Sequence, residues 1–128
     1  MRAQQMTEVL EKSGTKKFQH PDEVREFPYG RVELVKIGGV TVGRATLQPG
    51  WRWSESVRPI AKTDSCEANH FIYQLSGTLR IRMDDGKEFD CRAGDVCLIP
   101  PGHDAWVVGN EPAVGVDFQG MEKFAQGE

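Results

Sequence analysis

The chain has 128 residues, a length that suits one domain and is short for two. Hydrophobic residues make up 38% and charged residues 27%, the balance of a chain that buries a core. Lys and Arg number 16 against 19 Asp and Glu, and the net charge of -3 excludes the basic surface that nucleic-acid binding requires. No run approaches the ~20 apolar residues of a membrane-spanning helix, so no membrane partner is expected. Histidine occurs only at positions 20, 70 and 103, and cysteine only at 66, 91 and 97, so any site built on them is small. Three cysteines cannot all pair, none forms C-x-x-C, and no basic-then-apolar leader opens the chain. That pattern points to the cytoplasm.

In chain order, Met6, Val9 and Leu10 recur at helical spacing until Ser13-Gly14 ends the pattern, which predicts a short N-terminal helix or arm within residues 1–30. His20, followed by Pro21, sits in a turn and reads as a surface residue. Phe27-Pro28-Tyr29-Gly30 is a second break.

From residue 31 to 120 the texture becomes that of a barrel, followed by a tail over 121–128. Nine runs rich in Val, Ile, Thr and aromatics predict strands at 31–37, 40–47, 51–57, 70–76, 78–83, 88–91, 95–99, 105–108 and 114–118. Turn pairs such as Gly38-Gly39, Pro49-Gly50 and Asp84-Asp85-Gly86 separate them. Leu79, Ile81 and Met83 alternate with Arg80 and Arg82, so one face is apolar and the other polar. Many short strands joined by tight turns give an all-β sandwich or barrel. The polar stretch 58–69 is longer than the usual ~4–6-residue connection, and so reads as a functional lid or a tolerated insertion.

The segment Gly94-Asp-Val-Cys-Leu-Ile-Pro-Pro-Gly-His103 resembles the second motif of the cupin superfamily. Gly50, Ser56, Arg58, His70 and Gly77 fall on the framework of the first. The likeness runs roughly from Val32 to Phe118 and is strongest at Pro100–Trp106, where it is similar to small single-domain cupins. It implies a double-stranded β-helix, that is, a jelly-roll barrel enclosing one small-molecule cavity. In metal-binding cupins three His and one Glu converge inside the barrel. The matching positions here are Ser56, Arg58, His70 and Ala105, of which only His70 ligates well. The resemblance also implies pairing of two copies, so a homodimer is expected, formed through sheet edges or an N-terminal arm.

Three readings of the interior follow. In the first, a rebuilt metal site uses His70, His103 and Cys66, with Asp64, Glu67 and Asp104 nearby, and takes one divalent transition metal such as Zn, Fe, Ni or Mn. Its plainer counterpart has His103 bonding the Pro-Pro-Gly turn and Cys66 as a small buried thiol. In the second, a metal-free pocket lined by Ser56, Arg58, His70 and Gln74, flanked by Trp51, Trp53, Tyr73 and Trp106, binds a small acidic or aromatic molecule with Arg58 as the anion anchor. Alternatively, Trp51-Arg52-Trp53 is a surface cation-π ladder. In the third, the pocket is catalytic: His70 acts as a general base, or, as the resemblance to metal-dependent cupins implies, a redox metal on His70 and His103 does dioxygenase or isomerase work. The residues leave open whether the pocket binds or catalyses, and Cys91 and Cys97 read as core.

Overall fold

The computed structural model describes residues 13–122 and 124–126. The helix expected around Met6, Val9 and Leu10 lies outside them. Nine strands and two one-turn helices follow: β1 (Glu23–Phe27), β2 (Gly30–Ile37), β3 (Val40–Leu47), α1 (Trp53–Ser56), α2 (Arg58–Ala61), β4 (His70–Ser76), β5 (Thr78–Met83), β6 (Glu88–Cys91), β7 (Val96–Ile99), β8 (His103–Val108) and β9 (Ala113–Asp117). Every ladder is antiparallel. A six-stranded sheet in the order β1-β2-β3-β9-β4-β7 faces a three-stranded sheet in the order β6-β5-β8, the arrangement of a jelly roll.

The two-residue period of the strands decides what fills the space between the sheets. Val32 and Leu34 of β2, Leu47 of β3, Leu79 and Ile81 of β5 and Ile99 of β7 all point inward and are buried. Each such side chain contributes about 1.5–3 kcal/mol relative to full exposure. Gly77, at φ +69°, makes the corner between β4 and β5, and a Cβ there would collide with the carbonyl oxygen of Pro112. Only glycine combines that conformation with so close a backbone approach. Among the described residues, no helix is long and apolar enough to cross a membrane.

Three features depart from the sequence reading. The segment 51–57, expected as a strand, contains α1. Trp53, Ser56 and Val57 are all buried, and their spacing of three and four residues is helical; apolar side chains at 51, 53 and 57 fit alternation equally well, and packing decides between the two. β1 adds a strand within residues 1–30, where only an arm was expected, and its charged pattern buries just Phe27. Cys91 and Cys97 are buried as expected but form a disulfide, which joins β6 of the small sheet to β7 of the large one across Cα atoms 6.3 Å apart.

Candidate functional site

Three potential ligand groups meet at one end of the barrel. His70 opens β4 and His103 opens β8, both on the inward face. Cys66 leaves the long loop in a bridge to β8, donating its N–H to the His103 carbonyl at 2.7 Å while its own carbonyl accepts from Gly102. The loop, once anchored there, carries its thiol under the barrel mouth. All three residues are buried, and their ligand atoms lie within 4.8 Å of one another. The imidazole rings stand edge to face, with centroids 5.3 Å apart.

The outer nitrogens of both imidazoles are held. His70 Nδ1 pairs with Asp117 Oδ2, and His103 Nδ1 donates to the Pro100 carbonyl at 2.8 Å. With its proton on Nδ1, His103 keeps the Nε2 lone pair for the interior, whereas His70 Nε2, 3.6 Å from the Cys66 sulfur, frees its lone pair only when the imidazolium gives up its second proton. Asp117 is itself fixed, because its Oδ1 accepts from the backbone N–H groups of Phe71, Gln119 and Gly120. Gly120 must remain bare, since a Cβ would stand 2.6 Å from His70 Nδ1. His103 thus bonds the Pro-Pro-Gly turn, and doing so aims its other nitrogen inward.

Burial opposes every charge in this cluster, and the cluster outweighs it. Burial pushes the Cys66 thiol up, but hydrogen bonds to His103 and His70 bring it down to about 6. Burial pushes His70 down, but Asp117 and then Cys66 raise it to about 9. Burial raises the Asp117 carboxyl, while His70 and the Gly120 and Gln119 amides hold it below its usual range. A thiol so readily ionised beside two imidazoles is a strong donor set for a cation.

A cavity of about 50 Å³ lies inside the barrel against the two imidazoles. Trp51, Trp53, Ile72, Gln74 and Ala105 line it, together with both histidines. The space admits a few water-sized groups. Trp51 is 3% exposed, and its buried indole N–H has no acceptor among the described residues, an unusual cost in a core. Met121 and Phe124 close the mouth, with Phe124 edge-on to His70 at 5.5 Å. Arg25 latches this cover by donating to the carbonyls of Met121, Glu122 and Phe124 at 2.9, 3.0 and 2.7 Å. Outside lies a groove of about 400 Å³ that shares Trp53 and Phe124 with the inner cavity and has Cys66 in its own wall.

The structure brings Cys66, His70, His103, Gln74 and Trp53 together, and it separates the other expected pocket residues from them. Arg58 is exposed on α2 and paired with Asp64 at 3.4 Å, so it is no interior anion anchor. Tyr73 lies on the outward phase of β4, 44% exposed. Trp106 lies on the outward phase of β8, where the Arg52 guanidinium stacks on it at 4.2 Å. Ser56 is buried in α1 but is not part of the cavity wall. Asp104 faces away from His103, bonding Arg52 and the Ser54 N–H and so tying α1 to β8. Asp117 was overlooked although alternation made it readable: Ala113, Gly115 and Asp117 share one face of β9, and a carboxylate on an inward face needs a partner. Arg25 and Phe124 carried no such signal.

Over residues 67–115 the sequence matches the family of the AraC-like ligand binding domain, a span that includes His70 and His103 and stops short of Asp117. No curated protein matches the sequence. A Rhizobium leguminosarum protein of unknown function is similar in structure with a TM-score of 0.62 at 17% identity, covering 84% of this chain and 96% of that one. A cupin-like protein from Thermotoga maritima gives 0.51 at 15% identity, covering 73% and 69%. The S161A mutant of Bacillus subtilis oxalate decarboxylase gives 0.53 at 20% identity, covering 80% of this chain and 29% of the longer one. Likeness at such identities establishes a shared fold.

Proposed function

We propose that this small single-domain cupin holds a divalent transition metal on Cys66, His70 and His103 and binds a small oxygen-bearing molecule beside it. The observation that carries the reading is the convergence of three buried donor atoms whose imidazoles are each oriented from behind. His70 is backed by a carboxylate and His103 by a carbonyl, the arrangement that fixes tautomer and aim in metal sites. The donor set fits Zn or Fe: two nitrogens and a thiolate suit a borderline ion, and three protein ligands leave a position open toward the cavity. None of the four positions where metal-binding cupins carry ligands, other than His70, contributes.

A bound ion would supply Lewis acidity to an oxygen ligand. The chain's own groups do the rest. Trp51 offers its unpartnered N–H to an acceptor, which favours a carboxylate or carbonyl oxygen over an apolar ligand. The small cavity restricts that ligand to a few heavy atoms while the cover is in place. Apolar walls and the Phe124 ring exclude bulk water and strengthen each polar contact inside.

Metal analysis of protein purified without chelator tests the assignment, together with cobalt substitution of the metal-free protein. The expected result is one metal per chain and a near-ultraviolet thiolate-to-cobalt band that Cys66→Ser abolishes, with binding lost in His70→Ala and His103→Ala. Stoichiometric metal unaffected by all three substitutions would overturn the ligand set. A chain that takes up no zinc or cobalt would instead favour a metal-free reading, in which Cys66, His70 and Asp117 act as nucleophile, base and orienting acid.

A further inference from the structure

The Cys91–Cys97 bond stands in the same cross-strand rows as the cavity wall. Across the large sheet Cys97 of β7 faces Ile72 of β4, and Ile72 faces Asp117 of β9, the carboxylate behind His70. Across the small sheet Cys91 of β6 faces Leu79 of β5. Ile72 and Leu79 both line the cavity. The turn that the bond closes is fastened to the same wall, because Gln74 donates its N–H to the Asp95 carbonyl at 2.9 Å and accepts from the Gly94 N–H at 2.8 Å. β7 also sets its Ile99 opposite His70. β6 and β7 end the orders of their sheets, so among the described residues each is paired on one side only. No ladder joins the two sheets at this margin; the turn 92–95 and the disulfide do.

We propose that Cys91 and Cys97 are a reversible thiol–disulfide switch, opened by a dithiol reductant, that sets how firmly β6 and β7 brace the cavity wall. Their separation of 6 residues makes a short loop, where a cross-link restricts the unfolded chain least, so the bond acts chiefly on the native sheets. Cys91 is 0% exposed and Cys97 7%, so a reductant reaches them through a local opening. β7 supplies one: it is 4 residues long, paired among the described residues with β4 alone, and its Val96 and Leu98 are exposed. One thiolate of the dithiol attacks Cys97 Sγ, the Sγ–Sγ bond breaks, and Cys91 leaves as a thiolate that takes up a proton. The second thiolate of the dithiol attacks the mixed disulfide and frees Cys97, which is protonated in turn. The dithiol ends as its own disulfide, and two electrons and two protons have passed to the protein. Two thiols cannot stay at bonding distance, so the sheet edges part and Ile72, Gln74 and Leu79 lose their brace. A small disulfide oxidant runs the exchange backwards. The switch works with or without a metal in the site.

Reduction of the folded, metal-free full chain by dithiothreitol, with iodoacetamide trapping and peptide mass mapping, tests this. Equilibration with oxidised glutathione should leave Cys91 and Cys97 bonded to each other, and dithiothreitol should free both faster than the chain unfolds globally in the same buffer. Reduction should raise amide hydrogen exchange in β4 and β7 about 10-fold or more while β2 and β3 keep their protection, and reoxidation should reverse the change. Cys91→Ala/Cys97→Ala should show the reduced pattern in either buffer; if that variant does not fold, the reduced wild type carries the same comparison. Two free thiols at 91 and 97 after glutathione equilibration overturn the proposal. So does a bond that opens only at the rate of global unfolding, or a reduced form whose β4 exchanges as slowly as the oxidised one. Every readout is taken without metal, so failure of the metal assignment leaves these outcomes unchanged.

Discussion

Asp117→Asn separates the orienting role of this residue from its packing, because the two side chains have the same shape. In the native site Oδ1 accepts three backbone N–H groups, from Phe71, Gln119 and Gly120, and Oδ2 faces His70 Nδ1. The three amides pin the asparagine carbonyl at the Oδ1 position, so the new NH₂ group must face His70. A donor then meets a donor unless His70 moves its proton to Nε2, the nitrogen that lies 3.6 Å from the Cys66 sulfur. The cost is one ligand: metal affinity should fall 10–100-fold, equivalent to about 1.4–2.7 kcal/mol. Losing a charge-assisted buried hydrogen bond should also cost the metal-free fold about 1.5–3 kcal/mol. Competition titration of zinc against a chromophoric chelator measures the first effect, and urea denaturation of the metal-free protein the second. Zinc affinity within twofold of wild type, in a variant with the expected loss of stability, would refute the orienting role and leave Asp117 purely structural.

Phe124→Ala, at a residue 8% exposed and packed on His70 and Phe27, should destabilise the fold by about 3 kcal/mol and open the inner cavity to the outer groove; faster chelator extraction of bound zinc would report the opening, and an unchanged rate would show that ions enter elsewhere. Arg25→Ala removes three hydrogen bonds from the same cover and should increase amide hydrogen exchange near Phe124 with little change in the barrel strands, as read by mass spectrometry. Gly77→Ala adds a Cβ into the Pro112 carbonyl at φ +69° and should cost about 3 kcal/mol or prevent folding, checked by thermal melting. Arg58→Ala should leave zinc affinity and small-carboxylate binding unchanged in calorimetry, since its exposed guanidinium faces Asp64; a loss of carboxylate binding would return Arg58 to the site.

The sequence by itself determined the barrel. Period-two alternation and Gly/Pro punctuation are local signals, and β3, β4, β5 and β6 begin and end where those signals place them. It also offered His70, His103 and Cys66 as candidate metal ligands, and these are residues whose donor atoms the fold brings within 4.8 Å of one another. The 51–57 segment resisted the same reading because Trp51, Trp53 and Val57 satisfy both the strand and the helix period, and only the neighbours they pack against choose between them. Arg58, Tyr73 and Trp106 were misplaced for a related reason. Residue type suggested a binding role, but the phase of a strand, or the loop helix on which Arg58 sits, decided which way each side chain points. What tertiary structure alone decided is the meeting of groups far apart in the chain: Asp117 behind His70 across 47 residues, and Arg25 over Phe124 across 99. Such contacts are set by sheet order and by the return of the C-terminal segment over the barrel mouth, and no local pattern in the chain encodes either.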